Sequence, residues 1–229
     1  TVQNTFKANI YEYGIDVTHN YDITLVYGTL EIIPRPITIK PVDEIKIYDG
    51  YSLTASSFEL STSSLYDIVS NHVIEGTFGG SITNVGVTNS NIESYIIYSG
   101  MEDVTSNYLV TLEEGLLEIA PRPVTLKPVD ETKVYDGLPL EASQTEVSGT
   151  SSFDLVEGHE VVSTYEGSIV NVGYINSNIL TYQIFNGTED VTQNYSIVTV
   201  PGQLEITPRP ITIETGTSIK MYDGNELVN

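Results

Sequence analysis

The chain repeats itself at a fixed stride, and this constrains its fold more than any other feature. Leu30-Glu31-Ile32-Ile33-Pro34-Arg35-Pro36-Ile37-Thr38-Ile39 returns as Leu117-Glu118-Ile119-Ala120-Pro121-Arg122-Pro123-Val124-Thr125-Leu126, and again as Leu204-Glu205-Ile206-Thr207-Pro208-Arg209-Pro210-Ile211-Thr212-Ile213. Arg35, Arg122 and Arg209 stand 87 residues apart at each step, so the chain is a tandem array. Numbered from the first proline, the complete copies are 34–120 and 121–207. They align without insertion at roughly half identity. Residues 1–33 match the last part of a copy and 208–229 the first part. The expectation is an excerpt of a longer array, or ends that borrow strands from neighbours.

Each copy carries an apolar-alternating run on both sides of its proline pair. Proline fixes its own torsion, removes a backbone donor and pushes the preceding residue to extended geometry. The pairs Pro34 and Pro36, Pro121 and Pro123, and Pro208 and Pro210 therefore predict stiff joints between strands, with Arg35, Arg122 and Arg209 at their centres. Within a copy every segment reads as strand or turn. The strand candidates are Ile37–Lys40, Ile45–Tyr48, Leu53–Leu60, Val73–Phe78, Ser81–Val85, Ile92–Tyr98, Leu109–Leu112 and Leu116–Ile119, with counterparts one stride on. Asp49-Gly50, Asp136-Gly137 and Asp223-Gly224 predict tight hairpin turns, because both residue types tolerate positive φ. Gly28, Gly115 and Gly202 mark a bulge or a turn before the last strand. The expected fold is all-β: tandem immunoglobulin-like antiparallel β-sandwich modules arranged end to end as a rod.

Charge narrows the partners. The formal net charge is −22, from 9 basic and 31 acidic side chains, which argues against nucleic acid or an anionic membrane as a ligand. No apolar run is long enough to insert in a bilayer in this segment, and cysteine is absent. Asp103-Val104-Thr105-Ser106-Asn107-Tyr108 recurs at 16–21 and 190–195, an acid and a small turn leading a tyrosine into a late strand. This pattern predicts a buried ring at Tyr108 and Tyr195 with its hydroxyl tying down a loop.

Taken in order, Lys46–Gly50, Lys133–Gly137 and Lys220–Gly224 (Lys-x-Tyr-Asp-Gly), the Asn-Val-Gly of 84–86 and 171–173, the Asp-Val-Thr-x-Asn-Tyr run, the Gly-x-Leu-Glu-Ile strand and the Pro-Arg-Pro exit resemble the YDG/MBG-type tandem repeats of large bacterial cell-surface adhesins. The resemblance covers both complete copies and both fragments. It implies a secreted protein of the bacterial cell surface or cell wall, whose β modules form a stalk contacting neighbouring repeats and holding a binding region away from the cell. It supplies no catalytic residue and no cofactor.

The titratable residues are spread evenly by the repeat, with no nucleophile, base and metal set gathered in one place, so the expected protein is not an enzyme. His19, His72 and His159 read as solvated loop residues. Lys46, Lys133 and Lys220 read as strand lysines paired with acids such as Asp103 or Asp190. A sharper alternative is an isopeptide cross-link within each module, Lys46 to Asn107 and Lys133 to Asn194, in which a desolvated amine attacks the carboxamide. Asp103, Asp190, Glu118 and Glu205 keep register, the glutamates next to the joint, and are the candidates for a calcium ion, which takes six to eight oxygens. Alternatively Glu118 pairs with Arg122 and pins the joint. The functional expectation is a structural stalk. Its alternatives are a carbohydrate- or protein-binding module using the tyrosines of 94–98 and 181–185 against a host or neighbouring-cell ligand, and a fibre subunit joined by strand exchange at its incomplete ends.

Overall fold

A computed structural model describes residues 1–228; Asn229, the last residue of the expected terminal fragment, lies outside them. The chain is all-β, with short 3-10 turns at Thr18–Asn20, Thr105–Asn107 and Thr192–Asn194. Among the described residues no helix is long and apolar enough to cross a membrane. The N-terminal fragment holds β1 (Val2–Asn4), β2 (Tyr11–Glu12), β3 (Ile15–Asp16) and β4 (Gly28–Leu30). The first complete repeat holds β5 (Arg35–Pro41), β6 (Glu44–Ile47), β7 (Phe58–Leu60), β8 (His72–Gly79), β9 (Gly86–Ser99), β10 (Glu102–Asp103), β11 (Tyr108–Leu112) and β12 (Gly115–Ala120). The second holds β13 (Arg122–Pro128), β14 (Glu131–Val134), β15 (Leu140–Glu141), β16 (Thr145–Val147), β17 (His159–Glu166), β18 (Ser168–Ile169), β19 (Gly173–Asn186), β20 (Glu189–Asp190), β21 (Tyr195–Thr199) and β22 (Gly202–Thr207).

The chain forms two compact units whose border does not follow the sequence period. Unit 1 is Thr1–Ile45, Ser52–Ile82 and Val87–Glu118; unit 2 takes Lys46–Tyr51 and Thr83–Gly86 from the first repeat and continues from Ile119.

In unit 2 a three-stranded sheet runs β16-β13-β21, and a larger sheet runs β14-β22-β19-β17 with β20 also on β19. Two pairings are parallel, β13 with β21 from Arg122↔Tyr195 to Leu126↔Thr199, and β14 with β22 from Glu131↔Leu204 to Val134↔Thr207. The 14-residue β19 divides its length between two long strands, Gly173–Ser177 on β22 and Asn178–Asn186 on β17, and Phe185 and Asn186 also pair with β20. Alternation along β13 sends Val124 and Leu126 inward, where Ile184, Leu204 and Ile206 complete a core whose members are each at most 2% exposed. Each such side chain contributes about 1.5–3 kcal/mol by leaving water. Unit 1 repeats the plan: β11-β5-β7 form the small sheet, with β11 parallel to β5. Its core gathers Ile37, Ile39, Ile92, Ile97, Val104 and Tyr108.

Four sequence expectations change here. The sheets are not purely antiparallel, because early strands pair side by side with late ones across long connections. Half-buried alternation is the same for both senses, so it could not reveal this. The Asp-Gly steps do take positive φ, 84° at Gly50 and Gly137, but they do not close hairpins. Strand β14, which precedes Gly137, pairs with distant β22 instead. Ser81–Val85 is not a strand and meets Leu53 only through the bridge at Ile82, which the second repeat develops into β15 with β18. The proline joint is shorter than expected, since Pro121 alone separates β12 from β13 and Pro123 lies inside the strand.

Candidate functional site

In unit 2 the recurring motif residues converge on one place. Tyr48, from Lys-x-Tyr-Asp-Gly, is 3% exposed. Its ring meets Tyr195 edge-on at a centroid distance of 5.7 Å and lies 6.1 Å from the His159 ring. The Tyr48 amide donates to the Ala120 carbonyl at 2.9 Å. Arg122, the arginine of the proline joint, donates from Nη1 to the Tyr48 carbonyl at 3.2 Å and from Nε to the Asp154 carbonyl at 2.7 Å. Its guanidinium sits 4.9 Å above the Phe153 ring, a cation–π contact. The sequence offered Glu118 as its partner; main-chain carbonyls and a ring hold it instead.

Asn194 supplies the polar half. Its carboxamide is 1% exposed, accepts from the Val85 amide at 2.9 Å and donates to Asn84 Oδ1 at 3.0 Å. The Asn-Val-Gly motif therefore serves as a backbone clamp for an asparagine 109 residues further on. Gly50 completes the contact: a Cβ there would lie 3.0 Å from Val156 Cγ1, and its φ of +84° already disfavours a side chain.

Beneath Tyr48 lies a histidine–tyrosine pair. The Tyr195 hydroxyl accepts from the Val156 amide at 3.1 Å and contacts His159 Nδ1 at 2.7 Å. A single proton lies between the hydroxyl and Nδ1, supplied by one or the other according to the tautomer of the imidazole. Burial pushes the His159 pKa below its ordinary 6.5, and the Arg122 charge adds to this. Burial also pushes the Tyr195 and Tyr48 hydroxyls up, opposed by the Val156 amide at the first and the Asn194 carboxamide at the second. The expected burial of Tyr108 and Tyr195, each 7% exposed with its hydroxyl on a loop amide, is what the structure shows. The reading of His72 and His159 as solvated is corrected. His72 Nδ1 contacts the Tyr108 hydroxyl at 2.6 Å, and His159 is 9% exposed. The partners stand 36 residues apart in sequence, so no local pattern marks them. His19 is exposed as expected.

The lysines go elsewhere. Lys46 Nζ binds Asp49 Oδ1 at 2.6 Å and the Tyr51 carbonyl at 2.7 Å, and Lys133 Nζ binds Asp136 Oδ1 and the Leu138 carbonyl, both at 2.8 Å. Each lysine thus closes the turn of its own motif, and not through Asp103 or Asp190. The Lys133 ammonium, with the Leu138 amide, holds the Asp136 carboxylate below the usual carboxylate range. Lys133 and Asn194, offered as an isopeptide pair, are each committed to other groups, and the Lys46 amine is likewise tied into its turn rather than aimed at Asn107.

Asp103 and Asp190 precede the 3-10 turns and bind their first residues, accepting from the Thr105 amide at 2.9 Å and the Thr192 amide at 3.0 Å. The threonine hydroxyl and amide lower both carboxyls from their ordinary value. Glu118 is half-buried and Glu205 exposed. Among the described residues no three His, Cys, Asp or Glu side chains gather to hold a metal ion, so the calcium candidates are not brought together. Of the tyrosines expected to form a recognition face, Tyr95 packs against the unit 1 core and Tyr98 is half-buried.

Unit 1 also has an open groove of about 540 Å³ beside β7 and β8, floored by Phe58, Leu60, Ile68, Ile74 and Phe78 and reached by His72. The Phe58 and Phe78 rings meet there at a 44° tilt with centroids 4.5 Å apart. The second repeat puts Thr145 and Tyr165 at these positions, with their hydroxyls 2.8 Å apart. No protein-family model, no curated protein and no solved structure matches this chain.

Proposed function

We propose that this chain is a non-catalytic structural stalk of a bacterial surface adhesin. In this reading its repeats are immunoglobulin-like sandwiches laid end to end as a rod, secreted to the cell surface or cell wall, and projecting a binding region. The observation that carries it is the convergence of Tyr48, Asn84 and Val85 on Arg122, His159, Asn194 and Tyr195, which commits the recurring motifs to mutual packing. Buried, hydrogen-bonded motif residues of this kind hold position, and the charge of −22 keeps such chains apart on a crowded surface. Small-angle scattering tests the reading. A compact chain of this length has a radius of gyration of about 17 Å; an extended stalk gives a clearly larger value, and a value near the compact one overturns it.

A second reading, a carbohydrate- or protein-binding module, is favoured by the apolar groove of unit 1 with its paired phenylalanine rings. Glycan-array binding by the chain that is lost in Phe78→Ala would support it, and an array without signal would exclude a glycan ligand.

A further inference from the structure

The convergence has two halves. A plug comprises Tyr48 with Asn84 and Val85, and a socket comprises Arg122, His159, Asn194 and Tyr195. At a stride of 87 residues each half exists once more. The second plug is Tyr135, Asn171 and Val172, and the second socket is Arg35, His72, Asn107 and Tyr108.

The second socket is built like the occupied one. Val69 donates to the Tyr108 hydroxyl at 3.1 Å, as Val156 does to Tyr195. Arg35 Nε donates to the Asp67 carbonyl at 2.7 Å beneath a ring contact at 5.0 Å, as Arg122 does to Asp154. The halves differ in exposure. Asn107 is exposed where Asn194 is 1% exposed, and Tyr135 is 39% exposed where Tyr48 is 3%. Val172, the counterpart of Val85, is 51% exposed. Asn107 at the rim of the preformed socket and Tyr135, Asn171 and Val172 of the matching plug thus face solvent, His72 is half-buried, and the Tyr108 ring is 7% exposed, as Tyr195 is.

We propose that these two surfaces dock a second copy of this chain, the plug at Tyr135, Asn171 and Val172 of one copy entering the socket at His72, Asn107 and Tyr108 of the next. The chemistry of the pairing is already on display within the chain: an aromatic ring on a histidine–tyrosine pair, and an asparagine clamped by a backbone amide. Because the two surfaces differ, the contact is head to tail and adds copies without a fixed limit unless it closes into a ring. Association in trans lacks the local concentration that a one-residue joint provides within a chain, so it is weaker and grows with added salt, which screens the shared negative charge.

Sedimentation equilibrium of the whole chain in raised salt, up to about 1 mM, tests this. The mass is expected to climb past that of two 25.1 kDa chains. The plug variant Tyr135→Ala/Val172→Asp and the socket variant Asn107→Arg change exposed residues, and each is expected to remain a single chain. Mixed, they retain one intact plug and one intact socket, and the mixture stops at two chains. Tyr135→Phe keeps the ring and associates like the parent. A parent chain that stays single, variants that associate undiminished as strand exchange would allow, or loss in only one of the two variants each overturns the proposal. A chain that stays single yet scatters as an extended particle overturns this inference and leaves the stalk reading standing.

Discussion

At Gly202, the first residue of β22, a side chain has nowhere to go: a Cβ would lie 2.3 Å from the Pro128 carbonyl oxygen. Gly149 has open space around it and no left-handed torsion. Gly202→Ala is therefore expected to cost about 2 kcal/mol or more through backbone displacement, while Gly149→Ala is neutral or stabilises by up to about 1 kcal/mol; urea denaturation of the pair checks both. The sequence marked Gly202 only as a bulge or turn, since the atom it must avoid sits more than seventy residues away on another strand. His159 carries a second residue-scale prediction. Its pKa is lowered in the folded chain, so near and below pH 6.5 the unfolded chain binds more protons. The stability contributed by the neutral ring is present above that pH and is lost as pH falls below it. Thermal unfolding followed from pH 7.5 to 5 is expected to show this fall, reduced in His159→Gln, which cannot take up the proton.

One six-residue string separates propensity from context. Pro-Arg-Pro-Ile-Thr-Ile occurs at 34–39 and again at 208–213. In the first place it enters β5, parallel to β11, with Ile37 and Ile39 at 2% and 0% exposure. In the second it forms no strand, and Ile211 and Ile213 are 75% and 83% exposed. Alternation was legible at both sites, but a strand persists only where a partner ladder and a buried face reward it. Hydrogen exchange is expected to protect the amides of Ile37 and Ile39 strongly and those of Ile211 and Ile213 hardly at all; comparable protection would contradict the assignment. Strand existence was read correctly at β5, β8, β9, β11 and β12 from period-two patterning. Pairing sense was not, because Leu126 faces inward equally well beside a parallel or an antiparallel neighbour.

Across the whole molecule, the repeat was legible from Arg35, Arg122 and Arg209 alone, whereas the places where the chain divides were not. Those depend on Tyr48 and Asn84, whose partners belong to the following period. Tyr48→Ala is accordingly expected to cost about 3–5 kcal/mol, with lost amide protection in 122–207 rather than in the repeat that contains it. Tyr135→Ala, at the exposed counterpart, is expected to stay within about 0.5 kcal/mol. Denaturation with exchange read by mass spectrometry distinguishes the two, and equal effects would show that Tyr48 is not a member of unit 2.

Because the division of the molecule is offset from the period of its sequence, a segment trimmed at 121–207 would carry a receptacle without its key. Gain or loss of whole 87-residue lengths, by contrast, hands each key to an equivalent receptacle wherever the break falls. Copy number in such a gene is thus open to unequal recombination at any phase, while a slip of even a few codons is not.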